Sequence, residues 1–123
     1  MKKNWEIIRE ILLRLEEAST PNTVLNAKDI PYHGDQEVAY NIRLLTEDGF
    51  IVGDISESSD GGGRINVALA RRLTGAGHEL LDTIRNDTIW GKVKDTFAKK
   101  GIEMTFDLVL AVGKKVMETS LFS

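Results

Sequence analysis

Cysteine is absent from the 123 residues. Disulfides and thiolate metal centres are therefore excluded, and the usage suits a reducing cytoplasm, the expected location. Proline occurs only twice, so little interrupts regular structure. No apolar run is long enough to span a bilayer as a helix. The opening Met1-Lys2-Lys3-Asn4-Trp5-Glu6 turns acidic too early for a secretory leader. A basic excess is missing as well: the formal net charge is −3. Most domains that grip a DNA duplex carry a cationic surplus that displaces counterions from phosphates. Residues 1–73 hold nine Lys/Arg against twelve Asp/Glu, and residues 74–123 hold seven of each. Any nucleic-acid contact must come from a local patch that works against the mean field.

What is present is the balance of an ordinary globular protein, 41% hydrophobic and 28% charged. The length fits a single domain with a modest core. Trp5, Ile8, Ile11, Leu12 and Leu15 recur at helical spacing behind a cap at Asn4, and Ser19-Thr20-Pro21-Asn22 ends that helix. Thr23 to Asn26 fits a short edge strand, and Lys28 to Gly34 fits turns. Asp35 is expected to cap a second helix from Gln36 to Asp48, with Val38, Ile42 and Leu45 inward and Gly49 closing it. Phe50 to Ser56 and the alternating Ile65, Val67 and Leu69 read as a hairpin around the polar tip Ser58 to Gly63. The last third is helical. Thr74 caps a helix reaching about Asn86, Asp87 caps the next, Gly101 stops it, and Thr105 caps a final helix from Phe106 to about Thr119.

The order of helix, short strand, helix and hairpin predicts an α+β fold of the winged helix-turn-helix type, with additional C-terminal helices. Residues 1–73 would form the winged-helix core and 74–123 a helical extension of the same domain. Tyr40 to Ile51 is similar to the end of a winged-helix recognition helix running into its wing. Arg72-Leu73-Thr74-Gly75-Ala76-Gly77-His78-Glu79-Leu80-Leu81 resembles the element that follows the wing in many bacterial regulators. More narrowly, Arg71-Arg72-Leu73-Thr74, Gly77 to Asp82, Asp87 to Lys94 and the first helix resemble an uncharacterised family, domain of unknown function 2513, common in phages and prophages. The resemblance spans nearly the whole chain and implies a bacterial mobile-element setting. One departure stands out. The usual helix before the recognition helix would fall at Asn26 to His33, where Pro31 and a weak apolar period leave it short or absent.

Two readings of the surface follow. In the first, the helix at 36–48 enters a major groove with Gln36, Tyr40, Asn41 and Arg43 facing bases or phosphates, while Arg64 on the glycine loop reaches a minor groove or phosphate, flanked by Lys28, Arg71 and Arg72. In the second, the same residues are a solvated face, with Glu37 and Glu47 repelling phosphate. Gly61-Gly62-Gly63-Arg64 lacks the Lys-Ser/Thr ending of a phosphate loop and joins strands instead of opening a helix. His33 and His78 have no ligand-like spacing, so no metal or cofactor is expected. No nucleophile, base and orienter are legible together, and the chain is not expected to be an enzyme. Trp90, Phe97, Phe106, Leu110, Met117 and Leu121 form an apolar surplus that suits either a homodimer or partner surface or an extended core. The leading expectation is a DNA-binding transcription regulator of a phage or prophage that binds double-stranded DNA. The alternative is a winged-helix protein-interaction module that binds no DNA.

Overall fold

Asn4 begins the first helix by turning its side-chain oxygen onto the free amides of the first turn, accepting from Glu6 N at 3.0 Å and Ile7 N at 3.2 Å. In this computed structural model, which describes residues 1–122, α1 spans Trp5–Glu17. Its apolar stripe Ile7, Ile8, Ile11 and Leu12 is fully buried. Each such side chain contributes about 2 kcal/mol of hydrophobic stabilisation.

The chain then makes β1 (Leu25–Asn26) and a single 3-10 turn, Ala27–Asp29. That turn stands where the sequence left a bracing helix short or absent. A capping box closes it: Asp29 Oδ2 accepts from Asn26 N at 2.8 Å and Asn26 Oδ1 from Lys28 N at 3.1 Å. Next, α2 runs Asp35–Glu47 and buries Val38, Ala39, Asn41, Ile42 and Leu45. Its N-cap is Gly34, with no side-chain cap bond, rather than the expected Asp35. Asp35 lies inside the first turn, where its charge faces the positive end of the helix dipole. Gly49, at φ 77°, supplies the left-handed residue that turns α2 into the hairpin.

The hairpin comprises β2 (Ile51–Glu57) and β3 (Ile65–Leu73). The three strands form an antiparallel sheet in the order β1-β3-β2, with Leu25 opposite Ala70 and Ile55 opposite Ala68. α1 and α2 pack on the face carrying Ala68, Ala70 and Leu73. Asn4 and Asn41 join the two helices: Asn4 N donates to Asn41 Oδ1 at 2.8 Å, and Asn4 Nδ2 to Glu37 Oε1 at 3.0 Å.

The chain divides into two compact units, Met1–His78 and the residues from Glu79 on. α3 (Gly75–Ile84) carries it from one to the other. The hydroxyl of Thr74 caps α3 as expected, accepting from Gly77 N at 3.1 Å and donating to the Gly49 carbonyl at 2.5 Å. The second unit contains α4 (Asp87–Lys100) and α5 (Phe106–Phe122), packed on each other. Asn86, one residue before the expected Asp87, caps α4 through bonds from Thr88 N and Ile89 N. Gly101 ends α4 in the left-handed conformation. Thr105 caps α5 through Leu108 N at 3.2 Å, and α5 continues past Thr119. Gly113 is buried where any side chain would run into Thr83. The described residues thus form an α+β fold of five α-helices and a small antiparallel sheet.

Candidate nucleic-acid interface

The exposed face of α2 follows from its burial. With Val38, Ile42 and Leu45 inward, the 100° step turns Gln36, Tyr40, Arg43 and Glu47 outward. The structure then separates the candidate residues by what each already holds.

Gln36 is tied down by both ends of its amide. Nε2 donates to Ile65 O at 2.8 Å, and Oε1 accepts from Ile65 N at 3.0 Å. This pair fastens the start of α2 to the start of β3 and leaves little capacity for reading a base. Asn41 departs further from the expectation. It is fully buried, accepts from Asn4 N and donates to Glu37 O at 2.9 Å. Its place is the α1–α2 seam, out of reach of any groove.

Arg43 is half-exposed but neutralised. Nε pairs with Glu47 Oε1 at 2.7 Å, and Nη1 pairs with Glu57 at the end of β2. The Glu47 hydrogen bond, reinforced by the charge of Glu57, holds the guanidinium above its usual pKa. Arg71 is occupied in the same way by Asp54 on the neighbouring strand, at 2.5 Å. Arg72 turns Nη1 to the Leu73 carbonyl at 3.2 Å. Tyr40 is half-buried on a face that Glu47 and Glu57 keep acidic.

Lys28 and Arg64 are different. Both are exposed, and neither side chain has an ion-pair partner among the described residues. They meet at a cleft of about 130 Å³ between the 3-10 turn, the start of α2 and the start of β3. Asn26, Asp35, Gln36 and Asn66 complete its polar lining. Asp35 lines the same cleft, and its negative charge weakens the pull on anions.

The hairpin tip is held by Asp60, whose Oδ1 accepts from Gly62 N at 2.8 Å. That bond, with one from the Ser58 hydroxyl, keeps the carboxyl below its usual range. A carboxyl with a lowered folded pKa adds order above its unfolded pKa, and that order is lost as pH falls through the folded one.

Sequence reasoning missed Tyr32. It lies in the loop between the 3-10 turn and α2, 98% exposed, with φ at 70°. The legible signal was Pro31 followed by a residue other than glycine at a turn.

Among the apolar candidates of the last helices, Trp90, Phe97 and Phe106 are 5–6% exposed. They are core residues and not part of a surface. Leu110 and Met117 are half-buried, and Leu121 is 76% exposed. Among the described residues no group of three His, Asp or Glu side chains is placed to hold a metal ion. None of the described helices is long and apolar enough to cross a membrane.

An uncharacterized protein of Haemophilus influenzae is 36% identical over 122 residues, which cover 98% of this chain and 99% of that protein. No solved structure matches. The family described as "Hypothetical protein (DUF2513)" matches residues 2–103. This chain therefore belongs to the DUF2513 family.

Proposed function

We propose that the chain is a winged-helix DNA-binding regulator of a bacterial phage or prophage, and that it holds double-stranded DNA by phosphates at the Lys28–Arg64 cleft. The mobile-element setting comes from the sequence resemblance. The order α1-β1-turn-α2-β2-β3, with β3 between β1 and β2, supports the winged-helix reading. The observation that carries the DNA reading is the convergence of Lys28 and Arg64 on one cleft, while Arg43 and Arg71 are already neutralised. Contacts of this kind position a protein on DNA without reading its sequence.

With two phosphate contacts, the logarithm of the binding constant falls against that of salt with a slope of about −1.8. Lys28→Ala with Arg64→Ala brings the slope close to zero. Arg43→Ala leaves both slope and affinity within about a factor of two, because its charge is already spent on Glu47 and Glu57. Fluorescence anisotropy on a mixed-sequence duplex reads all three. A wild-type chain that ignores the duplex at low salt ends this reading.

A second reading, a winged-helix module that binds a protein and no DNA, is favoured by the α2 face. There Tyr40 and the half-buried Leu44 sit one turn apart amid Glu47, Asp48 and Glu57. Such a face suits a basic partner. A homodimer belongs to either reading. Leu108, Leu121 and Phe122 on α5 are 42%, 76% and 82% exposed and supply the apolar surface. Light scattering over a range of concentrations is expected to give twice the chain mass, and Leu121→Asp with Phe122→Asp to return it to the monomer. A strict monomer at the highest concentration removes the dimer.

A further inference from the structure

Tyr32 stands where the local chemistry asks for glycine. Pro31 followed by a residue at φ 70° is the pattern of a type II turn, with proline at the second position and a left-handed residue at the third. A bulky side chain in that conformation is strained. The strain has no return in packing, because the ring is 98% exposed. Nor has it one in polar contacts: the ring makes no hydrogen bond or ring contact with any described residue. Backbone strain that folding does not need collects where a chain meets a ligand.

The position of the strained residue matters. The loop carrying Tyr32 leaves the 3-10 turn just after Lys28 and joins α2 at Asp35, and both of these residues line the cleft. Tyr32 is three positions before Asp35, so the ring's backbone lies within roughly 10 Å of the cleft wall. An exposed aromatic beside a pair of unpaired cations is the combination that captures a nucleotide strand. The cations hold the phosphate and the ring stacks on a base. In a closed duplex the bases already stack on one another and offer no face to such a ring.

We infer that Tyr32 is a stacking platform for an unpaired base, so that the Lys28–Arg64 cleft prefers single-stranded nucleic acid to a closed duplex. This rests on the nucleic-acid reading above.

The test uses a fluorescein-labelled oligothymidylate and the duplex of the same length, with the full chain. Wild type binds the single strand more tightly. Tyr32→Ala weakens single-strand binding by roughly 5- to 100-fold and leaves duplex binding unchanged. Tyr32→Phe retains the preference, because stacking needs the ring and not the hydroxyl. Tyr32→Gly separates function from folding: it relieves the turn, raises the thermal midpoint by a few degrees, and loses single-strand affinity as the alanine variant does. A residue kept for structure would not move these two readouts in opposite directions. If both forms of DNA bind equally and Tyr32→Ala changes neither, the stacking inference is overturned while the phosphate cleft stands. If neither form binds wild type, both fail together.

Discussion

Gly77→Ala lowers the thermal midpoint by roughly 10 °C, a loss of about 3 kcal/mol. A β-carbon at residue 77 would be driven into the backbone carbonyl of Phe50. That carbonyl is not free to move, since it also accepts from Thr74 N at 3.0 Å. Thr74 is itself fixed by its hydroxyl bonds to Gly49 O and Gly77 N. The start of α3 thus rests directly on the turn after α2, and one methyl group must lift it away. Gly75→Ala is the matched contrast. It lies two residues earlier in the same helix, exposed, with nothing within 4 Å of the new atom. Alanine is the better helix former there and is expected to be neutral or mildly stabilising. Thermal unfolding followed by circular dichroism compares the two. Equal midpoints for both variants would show that the contact at Phe50 yields at little cost.

Asn41→Leu costs about 2–3 kcal/mol although leucine has a similar size and suits a buried position. The replacement leaves Asn4 N without its acceptor in the seam between α1 and α2. It also removes the bond to the Glu37 carbonyl. Asn4→Ala, which removes the side-chain cap of α1 and the contact to Glu37, is expected to cost about 1 kcal/mol. Urea denaturation measures both. On the proposed DNA-binding reading, affinity for the duplex, corrected for the folded fraction, stays unchanged in Asn41→Leu. A variant that folds normally and loses DNA would return Asn41 to the binding surface and refute its role in the seam.

Asn41 also marks where the sequence ceases to be readable. The stripe Val38, Ile42 and Leu45 identifies the inner face of α2 without help, and the caps at Asn4, Thr74 and Thr105 follow from short-range chemistry. The hairpin is equally local, because alternation and a glycine tip define it. Asn41 and Gln36 are polar residues on a helix, so pattern alone places them outside. Their partners, Asn4 and Ile65, are 37 and 29 residues away. Nothing local announces such bonds. The ion pairs of Arg43 with Glu57 and of Arg71 with Asp54 are hidden for the same reason, since the packing of α2 on β2 decides the first and strand register the second. The caps missed by one residue, Gly34 for Asp35 and Asn86 for Asp87, show a different limit: the residue at the cap is the last one with extended backbone, and that geometry, not side-chain type alone, chooses between neighbours. Burial of Trp90, Phe97 and Phe106 was ambiguous because apolar periodicity marks a face and not what covers it.

The bond pair between Gln36 and Ile65, with the Ser58–Arg64 backbone bond of 2.7 Å, seals the hairpin below its tip. Whatever lies between Ser58 and Arg64 is thereby insulated from the core. Doubling the length of such a loop costs only about 0.6 kcal/mol in closure entropy. The glycine segment is therefore a place where added residues are tolerated while the scaffold beneath keeps its architecture.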